Sequence, residues 1–179
     1  FDLIGLEEVM NEKGVKKTQA YLEKLTNEKW DYIISENSVG SENYREYFAF
    51  IYRKSKFSEA RGLGFYKEKD ENEFMREPYG AYFKAGNFDF VYIIAHSVFG
   101  DKEKQRLLEA ANYVNVYEYF SKLTDEDDII IAGDFNTPAD NMAFKNMADK
   151  YNVKYVLNPE ENLTTLSDSK LVSSYDNFF

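Results

Sequence analysis

The chain has 179 residues and no cysteine, which excludes a disulfide framework and thiolate chemistry and suits one domain with its own core. A net charge of −10 argues against a broadly basic nucleic-acid surface, but not against a phosphate substrate reached through a divalent cation that carboxylates hold. Aromatics make up 17% of the residues, which favours sheet, and no apolar run approaches the roughly 18 residues of a membrane-spanning helix.

In chain order, Asp2 to Val9 reads as a buried strand that ends in two acids, Glu7 and Glu8. Strict alternation sends those two to opposite faces. The spacing predicts a helix over 14–27, with Tyr21, Leu22 and Leu25 on one face. "WDYIISE" is a strand closing on Glu36, and "REYFAFIYRK" alternates aromatic and polar residues as a half-buried strand does. "RGLGFYKE", "MREPYGAYFKA" and "FDFVYIIAH" follow as strands, the last two joined by a turn at Gly86-Asn87. The last of them closes on His96, the only histidine. A helix is predicted over 102–121, with Leu107, Ala110, Ala111, Val114 and Tyr117 turned inward. "DIIIAG" is a buried strand, and Thr137-Pro138-Ala139-Asp140 reads as the capped start of a helix running to about Tyr151. "YVLN" and "SSYDNFF" read as closing strands. Two sheets packed face to face with helices outside would bury this order of elements in a single domain.

Chemistry gathers at strand ends. Asp134 and Asn136 stand on the turn between a buried strand and a helix, where layered folds build sites, although Asp and Asn also serve as plain turn formers. Glu7, Glu8, Glu36 and His96 also end apolar strands. Each costs desolvation unless paired, so convergence on one cleft is expected. The group Arg45, Arg53, Lys54, Lys56 and Arg61 reads as a solvated strand face.

The ordered set "IGLEEV", "ISENSVGSENYREYFAFIYR", "MREPYGAYFKAG", "IIAHSVFG", "IIIAGDFNTP" and "SSYDNFF" resembles the endonuclease/exonuclease/phosphatase superfamily, and within it deoxyribonuclease I. The resemblance implies an α/β (α+β) fold: a four-layered α/β/β/α sandwich of two packed mixed sheets flanked by helices. It implies that Glu8 is a metal ligand for Mg²⁺ (or Mn²⁺ or Ca²⁺), that Glu36 orients a catalytic His96, and that Arg76 lies near the scissile phosphate. Asp134 and Asn136 match the pair handling nucleophile and phosphate, and Asp176 matches an acid that orients a second histidine. The implied activity is that of a metal-dependent phosphodiesterase, an endonuclease hydrolysing DNA with low sequence specificity. Alternatives are a phosphatase or phospholipid phosphodiesterase on the same scaffold, or a catalytically silent binding domain.

Relative to the family pattern, a first strand with its asparagine and a last strand ending in Asp-His are absent from residues 1–179. An incomplete catalytic unit is therefore expected, with little hydrolysis by this stretch alone. The Lys-, Asn-, Tyr- and Ile-rich composition suggests a bacterial source, the expected location is secreted or cell-surface, and a monomer is expected.

Overall fold

Residues 44–53 carry the logic of the whole architecture. Along this strand Phe48 and Phe50 face one apolar layer while Ala49 and Ile51 face another, and all four are fully buried. A strand with two apolar faces must lie between two packed layers.

The structure, a computed structural model, describes residues 1–70, 72–100 and 103–179. One sheet contains β1 (Leu3–Val9), β4 (Tyr44–Arg53) and β2 (Trp30–Ile34) in the order β1-β4-β2, with the short β3 (Val39–Ser41) also paired to β4. The second sheet has the order β11-β8-β7-β6-β5, built from β5 (Glu59–Phe65), β6 (Tyr79–Ala85), β7 (Phe88–His96), β8 (Ile129–Asp134) and β11 (Asp176–Phe178). Strands β7 and β8 run parallel, and the crossover between them is α2 (Glu103–Thr124). Helix α1 (Glu12–Thr26) covers the first sheet, while α2 and α3 (Lys145–Tyr151) cover the second. β9 (Thr165–Leu166) and β10 (Leu171–Ser173) form a separate small hairpin.

Three apolar layers result. Val15, Trp30, Ala49 and Ile51 fill the space under α1. Phe48, Phe50, Tyr79, Phe83, Phe90 and Ile94 fill the space between the sheets. Tyr113, Val116, Phe120, Ile131 and Phe135 belong to the layer under α2 and α3. This is the expected α/β/β/α sandwich. α2 lies close enough on β6 that a Cβ on Gly80 would stand 2.4 Å from the Phe120 ring, so only glycine fits there.

Several local expectations are corrected. On α1 the inner stripe holds Val15, Gln19, Leu22 and Thr26, while Tyr21 and Leu25 are 64% and 67% exposed. Polar groups belong on that stripe because Gln19 donates to the Trp30 carbonyl at 2.7 Å and the Trp30 indole donates to Thr26 at 2.9 Å. On α2 Ala111 is exposed, and the buried stripe runs through Glu109, Ala110, Tyr113, Val114, Val116, Tyr117 and Phe120. The predicted first residue of that helix, Lys102, lies outside the described residues. Regular helix does not begin at Pro138. A 3-10 turn over Met142–Phe144 leads into α3, and Asn141 caps it by accepting from the Ala143 amide at 2.9 Å. "YVLN" forms no strand: the Val156 amide donates to the Phe178 carbonyl at 2.8 Å, but the pairing goes no further, because the Asn177 side chain takes the Leu157 amide at 3.0 Å and donates to the Leu157 carbonyl at 2.8 Å.

Candidate active site

Strand phase brings the candidate residues together. On β7, Phe90, Tyr92 and Ile94 face the layer between the sheets, and His96 is next in the same phase. On the neighbouring β8, Asp134 pairs with His96, and across the other edge of β8 it pairs with Asp176 of β11. Directly paired residues share a face, so imidazole and two carboxylates stand in a row along one end of the second sheet. The first sheet answers with Glu46, in phase with Phe48 and Phe50 on β4, and Glu7, in phase with Leu3 and Gly5 on β1.

Alternation alone would send Glu8 away, toward α1. A bulge prevents this: the register between β1 and β4 shifts between Leu6 and Val9, and Glu8 takes a left-handed φ of 55°. Bulges re-aim side chains in this way, and a non-glycine residue with positive φ marks local strain that surrounding contacts maintain. Both acids of "LEEV" therefore reach the site. Glu7 accepts the Asp134 amide at 3.2 Å, and Glu8, Glu46 and His96 hold ligand atoms within 4.8 Å of one another.

His96 is 7% exposed and its Nδ1 donates to both Glu46 oxygens, at 2.8 and 3.0 Å. The expectation that Glu36 orients His96 is thus corrected. Glu36 lies beyond the end of β2, is exposed, and among the described residues accepts only a long 3.4 Å bond from the Tyr79 hydroxyl. Glu46 holds the position because it continues the buried phase of β4 straight across from β7. The signal was present in the sequence as an acid two residues before Phe48, in step with the aromatics.

Arg76 lies beside Glu46, with Nε 3.5 Å from Oε1 and its side chain 10% exposed. Its Nε and Nη1 are buried without a hydrogen-bond partner among the described residues. A guanidinium so placed is a ready receptor for an oxyanion.

The "GDFN" turn is built around close approach. A Cβ on Gly133 (φ 146°) would stand 1.8 Å from the Ala95 carbonyl oxygen, so β8 can pair with β7 here only through glycine. Asp134 Oδ1 accepts the Asn136 amide at 2.8 Å, closing an Asx turn, and Asn136 itself has φ 47°. The Asn136 amide group donates to the Ser97 carbonyl at 2.9 Å, which leaves its second N–H uncommitted by that bond. Asp134 and Asn136 therefore form a turn, and that turn stands beside His96 and Ser97.

Electrostatics reflect crowding of acids in a poorly solvated space. Burial pushes Glu7 up to about 7, with Asp134 and Asp176 adding to the rise and His96 and the Asp134 amide opposing it. Burial likewise lifts Asp134 above the usual carboxylate range, with Asp176 and Glu8 contributing. For His96 burial favours the neutral ring, but the Glu46 hydrogen bond and charge outweigh it and raise the imidazole above its ordinary value. Like charges that resist ionisation together would be relieved by a dication. The donor set fits one: Glu8 is exposed and takes part in no hydrogen bond among the described residues, whereas Glu46 is committed to His96 and Arg76.

A cleft of about 410 Å³ opens beside these groups, lined by Glu8, Met10, Asn43, Tyr44, Arg45, Glu46 and Arg76. Three other basic residues of the sequence group pair outside the cleft: Arg53 with Asp2 and Glu28, Lys54 with Asp31, and Arg61 with Glu59.

Fold and site together define an α+β sandwich of the endonuclease/exonuclease/phosphatase type. Over its full length the chain is 28% identical to a deoxyribonuclease of Thioalkalivibrio sp. (strain K90mix), covering 50% of that protein. It is also 28% identical to deoxyribonuclease-1-like 1 of Rattus norvegicus, over 82% of this chain and 46% of that one. The chain thus spans about half the length of these curated relatives. An endonuclease/exonuclease/phosphatase family protein from Bacteroides thetaiotaomicron superposes with a TM-score of 0.52 at 18% identity, over 99% of this chain and 68% of that one. No family profile matches the chain. The chain has the fold of the endonuclease/exonuclease/phosphatase superfamily, and in sequence it is similar to proteins named as deoxyribonucleases.

Proposed function

We propose that this chain carries the centre of a metal-dependent phosphodiesterase that hydrolyses DNA with little sequence preference. One observation supports this above the others: a buried imidazole–carboxylate pair, an aspartate and a guanidinium beside that carboxylate, with N–H donors unsatisfied among the described residues, converge at one end of the sandwich. Arg76 and the free N–H of Asn136 bind the non-bridging oxygens of a phosphodiester and place its phosphorus. Asp134, with Oδ1 fixed by the Asn136 amide, takes a proton from a water as that water attacks phosphorus. The bond to the leaving oxygen breaks, and His96, protonated and held through Nδ1 by Glu46, delivers a proton to that oxygen. Solvent then returns Asp134 to its ionised form and His96 to its protonated form. A divalent cation, with Glu8 as its protein ligand, would offset the charge that grows on the phosphate oxygens. Asp176 and Glu8 add to the rise that burial gives Asp134, and Glu7 accepts the Asp134 amide. Tyr44, 75% exposed on the cleft rim, offers a ring to a sugar or base.

The test is an assay of the purified chain, and of versions extended at either end, against DNA, RNA and simple phosphoester panels with and without chelator. Chelator-sensitive scission of DNA that is lost in Asp134→Ala supports the reading. Cleavage confined to monoesters would favour a phosphatase, and phosphate-independent binding with no turnover in any version would sink the enzyme reading.

A further inference from the structure

We propose that Glu109 is a positioning residue: from α2 its carboxylate fixes, at once, the loop that carries Arg76 and the segment that leaves His96. Glu109 is 5% exposed. Its Oε1 accepts the Met75 amide at 2.8 Å and its Oε2 accepts the Val98 amide at 2.8 Å. Met75 immediately precedes Arg76, and Val98 is two residues past His96. Neither amide has a strand partner to bind, because β6 begins only at Tyr79 and β7 ends at His96.

One turn further along α2, the Tyr113 hydroxyl shares a 2.7 Å hydrogen bond with Ser97 Oγ, and the Ser97 carbonyl accepts the Asn136 amide group. Glu109 and Tyr113, four residues apart, therefore form a polar rib on a helix face otherwise packed against aromatic residues such as Phe74 and Phe135. That rib braces the backbones bearing Arg76, His96 and Asn136. Burying a carboxylate in such a layer is costly unless it is fully hydrogen-bonded. A carboxylate accepts two backbone N–H groups with charge-assisted bonds, whereas an amide offers one acceptor oxygen and sets an NH₂ against the second N–H. The acid is thus suited to holding two loops in fixed relation, while a neutral side chain of the same size is not. Glu109 touches no reacting atom; it acts through Arg76 and the strand end of His96.

This inference rests on the phosphodiesterase reading for its kinetic arm. The variants are Glu109→Gln, Glu109→Ala, Arg76→Ala and the Arg76→Ala/Glu109→Gln double. Glu109→Gln is expected to melt cooperatively, to exchange the Met75 or Val98 amide proton faster, and to lose roughly 10–100-fold in kcat/KM, with KM raised as well as kcat lowered. In the Arg76→Ala background the part of that loss that passes through Arg76 should vanish, leaving the smaller part that passes through the His96 strand end, so the two losses should be less than additive. Unchanged kcat and KM in Glu109→Gln, or a full additive loss in the double variant, would overturn the proposal. Should Glu109→Ala fail to fold, Glu109→Gln still decides. If neither the chain nor any extended version hydrolyses a substrate, the phosphodiesterase reading falls on its own. Glu109 is then judged by binding of inorganic phosphate: weaker binding in Glu109→Gln, together with faster Met75 exchange, supports it, and unchanged binding refutes it.

Discussion

His96 and Glu46 form the tightest ionisable pair of the site, and the pair sets the first expectation. With Nδ1 tied to Glu46, only Nε2 is left to exchange a proton with a substrate. His96→Ala should lower turnover by roughly 10²–10⁴. Glu46→Gln should follow in the same direction, because an amide neither fixes the tautomer nor supports the imidazolium, while Glu36→Gln should leave turnover near wild type. Equal losses for the Glu36 and Glu46 variants, measured at saturating substrate, would remove the pairing from the mechanism. Glu7 gives a second expectation, of opposite character. Its carboxyl rises from an ordinary 4.5 to about 7 through burial. A folded-state value above the unfolded one means stability that is full below about 4.5 and lost as pH climbs through about 7. Without divalent cation, melting temperature should therefore fall as pH rises across that window, and the advantage of Glu7→Gln over wild type should be larger at pH 8 than at pH 5. A pH-independent difference between the two proteins would refute the assignment. At this scale His96 and Glu8 were readable as polar residues closing apolar strands and Asp134 and Asn136 as the turn after one, while Asp176 was reached only through the family resemblance. Glu46 was passed over because it lies inside its strand, where an acid looks like the polar half of an alternation, although its phase matched Phe48 and Phe50.

Strands and turns explain why those residues meet. The β1 bulge could not be read from "LIGLEEV", because a bulge is a property of two strands in register and β4 supplies the reference. Helix starts failed for a related reason. Thr137-Pro138 has the chemistry of a cap, but the Asx turn at Asp134 and the Asn136 bond to Ser97 hold the chain in the site until Asn141. Gly133 is where this element is most sensitive. Gly133→Ala would place a methyl group 1.8 Å from the Ala95 oxygen at a backbone angle L residues avoid, so the β7–β8 pairing must open. The expected cost is on the order of 3 kcal/mol, seen as a lower denaturation midpoint with an unchanged slope. A neutral Gly133→Ala would mean that the two strands are less closely paired than the register states.

The molecule as a whole is acidic, and that sets how it can meet a polyanion. Layering was legible because each strand's phase names the layers it touches, as β4 does with Phe48 and Phe50 against Ala49 and Ile51. The charge arrangement was legible only in sum. The sequence group of basic residues is dispersed in the fold: Arg53 lies over the Trp30 ring at 4.6 Å between Asp2 and Glu28, and Arg61 covers Tyr82 at 4.6 Å beside Glu59. Arg45 and Arg76 alone among the cleft-lining residues are cationic, and Arg45 is itself braced by the Ser38 carbonyl and hydroxyl. Neutralising a phosphate of duplex DNA contributes about −0.9 to the slope of log affinity against log salt. Two cations therefore allow a slope of about −2, far shallower than a basic nuclease surface would give. The net charge of −10 meanwhile repels DNA beyond the cleft, and salt screens that repulsion over a Debye length of about 10 Å at 0.1 M. Association should accordingly quicken as monovalent salt rises from low levels, while bound-state affinity declines gently. Binding of a short duplex to Asp134→Ala, which holds substrate without turnover, measures both at constant divalent cation. A slope near −5, or association that slows with the first additions of salt, would show that DNA meets a basic face other than this cleft.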